Sequence, residues 1–239
     1  MTDLEAIELR QSRRAYLDNP IAADSIRKLK AVIDEYNQLS GLSIQIIEDG
    51  REAFKGINIS YGMFSGVRSF IAIVSKTSDQ NAKEKAGYYG ELLVLESIKL
   101  GLGTCWVGAT FNRKRCPCKV LADETLLSII TIGNVAEKKG LKENTIYKLV
   151  HRHTKSLEEL YSSNTSAPDW FLQGIKAVQK APSANNRQPV HFSYKSGIVT
   201  AEIKNTDNHE PIDLGIAKAH FEIGAGGKFG LGNGAALIR

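Results

Sequence analysis

The chain has 239 residues, of which 42% are hydrophobic, 24% charged and 8% aromatic. That is ordinary globular composition, which excludes collagenous, low-complexity and wholly disordered chains and leaves room for one large domain or two small ones. The net charge of +5 suits an anionic small molecule as well as nucleic acid and does not choose between them.

Thr2 or Asp3 can cap a short first helix that turns Leu4 and Ile7 inward and runs into Arg10-Gln-Ser-Arg-Arg14. Asp24-Ser25 opens a clearer helix with Ile26, Leu29, Ile33 and Tyr36 on one stripe, ended by Gly41. Leu42, Ile44 and Ile46 alternate with polar residues as in a half-buried strand. Residues 54–68 read as irregular, and Phe70–Val74 as a compact apolar strand. The longest helical stretch, 82–100, carries Leu92, Val94, Leu95 and Ile98. Gly87 and Gly90 each weaken it by about 1 kcal/mol relative to alanine, so either a backbone approaches closely there or the helix starts later. A strand at Ser128–Gly133 leads to a polar loop with Lys138-Lys139-Gly140.

The organisation then restarts. Ser156 and Glu159 form a capping-box pattern, and Ser162–Ser166 is the best linker candidate. A helix over 169–180 carries Trp170, Ile175 and Val178, and a hairpin joins Phe192–Tyr194 to Ile198–Ile203 through Lys195-Ser-Gly197. Asp213 is read as the cap of a last helix. The glycine-rich tail, Gly224–Gly234, fits neither a Walker nor a dinucleotide fingerprint and reads as an irregular terminus. Helix then strand occurs at 25–48 and again at 169–194, a hint of duplicated architecture.

Three segments carry candidate chemistry. In Arg10-x-Ser12-x-Arg14, alternate side chains of an extended chain share a side, so two guanidiniums and a hydroxyl can converge on one phosphate; the bland alternative is a solvated basic turn. In Pro182-Ser-Ala-Asn-Asn-Arg-Gln-Pro189, neutral donors and acceptors on a proline-bounded loop suit a planar, amide-rich ring, or simply satisfy their own backbone. In Gly101-Leu-Gly-Thr-Cys-Trp-Val-Gly108, glycines permit close approach to a flat ligand, though a helix end before a buried strand looks similar. Cys116-Pro-Cys118, with Cys105 and His151 or His153, lacks zinc-site spacing, and Arg113-Lys-Arg115 is too short a run for a nucleic-acid surface. Three cysteines make no disulfide framework. With no secretory pattern at Met1–Glu5 and no apolar run near the roughly 18 residues of a membrane span, a reducing cytoplasmic setting is expected.

Taken together, these segments resemble the FMN-dependent nitroreductase family. That family's opening Arg-x-Ser-x-Arg is matched by Arg10, Ser12 and Arg14. Its Pro-Ser-x-x-Asn-x-Gln-Pro loop is matched by Pro182, Ser183, Asn186, Gln188 and Pro189, its Gly-Leu-Gly-Thr-Cys-Trp-x-Gly segment by Gly101–Gly108, and its closing pattern by Arg152 and Lys155–Leu160. The order departs from the family's. The Pro-Ser loop ordinarily follows the first motif closely, where this chain has Asn37-Gln-Leu-Ser-Gly41.

The resemblance implies an α+β fold, with helices around central mixed or antiparallel sheets and two nitroreductase-like halves packed as a single-chain pseudo-dimer. The first half, 1–161, would supply the flavin phosphate arm, and a shortened second half, 167–239, the ring loop. Arg10, Ser12 and Arg152 would bind the FMN phosphate and ribityl chain, and Arg14 would sit nearer the ring. Val107 or Gly108 would offer a backbone N–H near flavin N5. Pro182, Ser183, Asn185, Asn186 and Gln188 belong to the loop lining the ring. No catalytic side chain and no metal are singled out. The implied activity is NAD(P)H-driven reduction of a nitroaromatic, quinone or similar small-molecule acceptor by hydride transfer through FMN. No nucleic acid or membrane partner is expected. A preformed interface would permit a monomer, with further self-association left open. The rival reading is a non-catalytic flavin-binding or regulatory protein. Tyr61, Met63 and Phe64 are read as either substrate-pocket residues or an ordinary packed loop.

Overall fold

The alternating apolar residues after Gly41 form one edge of the larger sheet. In the computed structural model, which describes residues 1–55, 63–150, 154–206 and 209–239, they are strand β1 (Ser43–Ile47). The chain divides into two compact units, one of residues 10–82 and 93–149, the other of 1–9, 83–92 and 150–239.

In the first unit, helix α2 (Ala23–Ser40) buries Ile26, Leu29 and Ile33, and ends at Gly41, whose φ of +73° lets its N–H return to the Asn37 carbonyl. β1 pairs antiparallel with β2 (Ser69–Lys76), β2 with β4 (Glu124–Gly133), and β4 with β3 (Gly103–Val107), in the order β1-β2-β4-β3. The continuous apolar run of β2 is explained by its burial on both faces from Ser69 to Ser75. Phe54, Phe64, Phe70 and Phe111 pack as an aromatic cluster beside it, with Phe54 5.8 Å from Phe64 and 6.2 Å from Phe70 in edge-on arrangements. After Gly140 the chain forms a helix (α4, Leu141–Val150) that the sequence reading does not contain. Its opening Leu-Lys-Glu-Asn-Thr has a single apolar residue and gives no stripe to read.

Helix α3 (Ala82–Lys99) contributes to both units. It begins at Ala82 despite Gly87 and Gly90, and buries Leu93, Val94 and Leu95; the expected Leu92 and Ile98 are half-buried.

The second unit contains α1 (Asp3–Leu9), α5 (Leu157–Leu160), β5 (Tyr161–Ser163), α6 (Asp169–Gln179), β6 (His191–Lys195), β7 (Ile198–Glu202) and α7 (Glu210–Ala225). β5 runs parallel to β6, and β6 antiparallel to β7. Ser196 and Gly197, with φ of +52° and +84°, make the two-residue turn whose twist matches the hairpin. Phe171, Phe192 and Phe221 form the core, with Phe192 stacked on Phe221 at 4.9 Å.

Four expectations are corrected. The Ser162–Ser166 linker is in part strand: Ser162 and Ser163 pair with Ser193 and Tyr194, because backbone groups join a sheet edge whatever their side chains. Leu4 is exposed, and Ala6 joins Ile7 inside. Asp213 lies within α7, which starts at Glu210 with Pro211 in its first turn. The glycine-rich tail is ordered, with Lys228–Phe229 (β8) paired to Leu237–Ile238 (β9).

The glycines of α3 are explained by close packing. A Cβ on Gly87 would lie 1.9 Å from the Ile212 carbonyl oxygen, and one on Gly215 of α7 would lie 2.0 Å from that of Glu84. Where these backbones nearly touch, the seam is ionic. Lys218 Nζ pairs with Glu84 Oε1 at 2.5 Å and donates to the carbonyls of Gly230 and Gly232, while the Gly232 N–H donates to Glu84 Oε2 at 2.8 Å. One buried ion pair thereby fixes the tail. Beside it, the wholly buried His220 and Glu91 are 2.9 Å apart. Among the described residues the architecture is α+β, with a four-stranded antiparallel sheet, a three-stranded mixed sheet and the two-stranded β8–β9 pair, together with helices.

Candidate functional site

The arginine arm of the first unit is extended, as convergence on an anion requires. Ser12 bridges in parallel to Thr104 of β3, and Ala15 to Ser65. The Arg13 N–H donates to the Thr104 carbonyl at 2.8 Å and the Ser65 N–H to that of Arg14 at 2.9 Å. Gly103 is required here, since a Cβ would lie 2.4 Å from Val135 Cγ1 and 3.1 Å from Arg13 Cβ. Tyr16 anchors the end of the arm, its hydroxyl donating to the Arg13 carbonyl at 2.7 Å.

Glu143 of α4 clamps this arm. Its Oε1 accepts from the N–H groups of Arg14 at 2.6 Å and Ala15 at 3.3 Å, and from Arg13 Nε at 3.2 Å. Burial works against this carboxylate, but the Arg14 hydrogen bond and the Arg13 guanidinium outweigh it and hold its pKa below the ordinary value. Lys139 belongs to the same cluster. Its pKa is lowered by burial, against the pull of Glu143, and further by the charges of Arg13, Arg14 and Arg10. Cys105 of β3 belongs to the same neighbourhood, its thiol pushed up by burial and pulled back by Arg14, Ser12 and Arg10. Among the described residues, Arg10, Arg13, Arg14 and Lys139 gather around Glu143, and Arg14 Nη1 is buried without a hydrogen-bond partner. Such an atom is costly unless an acceptor meets it. Sequence reasoning found Arg10, Ser12 and Arg14 but missed Glu143 and Lys139. Glu143 lies far along the chain in an unrecognised helix, and Lys139 carried no signal beyond its basic loop.

Val107 ends β3 and is buried; Gly108, half-buried, follows it. Arg113 holds this turn, donating to the Gly108 carbonyl at 3.2 Å and to that of Leu127 at 3.4 Å. Phe64 packs edge-on against Phe54, while Tyr61 lies outside the described residues. So do Arg152, His151 and His153. Among the described residues no group of three or more metal-capable side chains gathers, and no helix is long and apolar enough to cross a membrane.

In the second unit, the loop after α6 is bent by three non-glycine residues of positive φ: Asn185 (+53°), Asn186 (+54°) and Gln188 (+46°). That is an uncommon conformation needing support from its surroundings. The support is internal. Ser183 Oγ accepts from the Gln188 N–H at 2.9 Å, and buried Gln188 accepts from the Lys155 N–H at 2.8 Å through its Oε1. Asp213 closes the underside, accepting from the Ala184 N–H at 3.1 Å. Burial pushes its pKa up to about 7, with Glu210 adding to the rise and Ala184 and Arg187 opposing it. A small pocket lined by Pro182, Gln188, Pro189, Val190 and Asp213 lies beneath the loop. Asn185 is exposed.

A family model described as "Putative TM nitroreductase" matches residues 3–225. The chain belongs to this nitroreductase family, whose name places it among the oxidoreductases. Among solved structures, a "putative nitroreductase" from Thermotoga maritima is 20% identical, covering 99% of this chain and 92% of its own, with a TM-score of 0.66. A nitroreductase family protein from Clostridium difficile is 17% identical, covering 69% of this chain and 99% of its own, at 0.50. These likenesses establish the nitroreductase-like fold. No curated protein matches the sequence.

Proposed function

We propose that the chain is an FMN-dependent oxidoreductase that uses NAD(P)H to reduce a nitroaromatic, quinone or similar small-molecule acceptor. The observation that carries this is the buried, unpartnered Arg14 Nη1 inside a cluster of Arg10, Arg13, Lys139 and Glu143, on the segment that bears the family's opening motif. The donor set fits a phosphate: guanidiniums present planar forks to its oxygens, and Arg14 Nη1 has no hydrogen-bond partner among the described residues. Arg10, Ser12 and Arg152 are the proposed phosphate and ribityl ligands, with Lys139 added, and Arg14 is proposed to sit nearer the ring. Val107 and Gly108, and the loop residues Pro182, Ser183, Asn185, Asn186 and Gln188, are proposed for the ring. When bound, FMN supplies the hydride chemistry at N5. The residues of the chain bind and orient it, and the cationic arm favours the anionic reduced form.

The tandem reading, with halves at 1–161 and 167–239, is part of the proposal. It is supported by the displaced Pro-Ser loop and by the Clostridium difficile protein, which is matched over nearly all its length by 69% of this chain. The test is an anaerobic titration of purified protein. Yellow protein bleached by NADH or NADPH and recoloured by a nitroaromatic is expected, with one FMN per chain. Colour without bleaching would favour a flavin-binding regulator, and two FMN per chain would overturn the tandem site.

A further inference from the structure

Cys116 and Cys118 have no role in the flavin reading, yet their placement is specific. They flank Pro117 in the segment after the short 3-10 turn Arg113–Arg115, and both are free. The backbone at Cys116 is extended (φ −76°, ψ 118°), so side chains two residues apart point to the same side, and proline restricts the segment between them. The two sulfurs lie 3.3 Å apart; closing to a disulfide, about 2.05 Å, needs a shift of only about 1.3 Å. Both residues are half-buried at the edge of the Phe54–Phe70–Phe111 core, so a small reagent can reach them. Two thiols without a third ligand do not make a tetrahedral metal site, and none is gathered among the described residues.

We propose that Cys116 and Cys118 are a reversible dithiol–disulfide pair, closed by exchange with a small-molecule disulfide. The thiolate of one cysteine attacks one sulfur of the reagent, releasing one thiol and leaving a mixed disulfide on that cysteine. The other cysteine then attacks that protein sulfur, loses its proton to solvent and releases the second thiol. The protein gives up two electrons and two protons, and the reagent is reduced to two thiols. The Cys118 thiol is pushed up to about 12 by burial and by the hydrogen bond and charge of Cys116, as befits two thiols this close together.

The test uses the full chain, folded, in graded mixtures of oxidised and reduced glutathione, with alkylation and mass spectrometry. The expected result is a loss of two hydrogens located to the Cys116–Cys118 segment and reversed by reduced glutathione, with buried Cys105 unmodified. Cys116→Ser and Cys118→Ser are each expected to stop at a mixed disulfide on the remaining cysteine of the pair, circular dichroism confirming that both are folded. Thiols that remain alkylatable at the oxidising end would overturn the pair. So would mixed disulfides that never close, or closure seen only after unfolding.

Discussion

Glu143 Oε1 lies 2.6 Å from the backbone nitrogen of Arg14, so a carboxylate from one helix fixes the main chain of the arginine arm rather than neutralising the Arg14 side chain. Arg13 provides the counter-charge at 3.2 Å. Arg14 thereby keeps its guanidinium for a ligand while its backbone is held.

Removing the clamp should loosen the arm. Glu143→Ala strands Arg13 and two N–H groups in a nearly buried site. The expected loss is about 3–5 kcal/mol, as for breaking a buried pair from one side. Glu143→Gln keeps an acceptor and should lose about 1–3 kcal/mol. Urea unfolding midpoints measure both, and equal losses would show that the charge is immaterial.

Arg14→Ala should weaken FMN binding with little effect on folding. One charge-assisted hydrogen bond contributes about 1.5–3 kcal/mol, or about 10- to 150-fold in Kd. Arg14→Lys, which keeps the charge but not the planar fork, should fall between. Quenching of FMN fluorescence on binding gives the affinities, and unchanged values would remove Arg14 from the site.

The α3–α7 seam should not tolerate a methyl group. Gly87→Ala and Gly215→Ala each place Cβ about 2 Å from a carbonyl oxygen, and the resulting overpacking should destabilise by at least about 1–3 kcal/mol. Gly140→Ala, with nothing within 4 Å, is the matched control. Thermal melts showing all three alike would contradict the close approach.

Asp213 gives the second unit an unusual pH dependence. Its folded pKa of about 7 lies above the unfolded value of about 3.9, so the folded state keeps a proton that the unfolded state has lost. Its contribution is full below pH 4, falls as pH rises towards 7 and is gone above that, with an upper bound of about 4 kcal/mol. Asp213→Asn should flatten stability across this window and gain relative to the parent at pH 8. Parallel pH slopes for the two proteins would refute the assignment.

Local sequence was sufficient for much of this. The stripe of Ile26, Leu29 and Ile33, the capping box of Ser156 and Glu159, the Ser196–Gly197 turn and the alternation after Gly41 depend on neighbours a few residues away, where periodicity and φ preference act. The arm residues Arg10, Ser12 and Arg14 stood out because the alternation of arginine and serine along an extended segment is a short, local pattern. What sequence alone could not determine depends on partners remote along the chain. Glu143 becomes a clamp only once α4 is packed beside the arm, and Lys139 becomes a site cation only when brought among the arginines. Gly87 had two readings until Ile212 was seen against it, and the glycine-rich tail looked irregular because its order comes from Lys218 and Glu84. The same physics applies at both ranges, but long-range ion pairs and backbone contacts leave no periodic trace in the residues that make them.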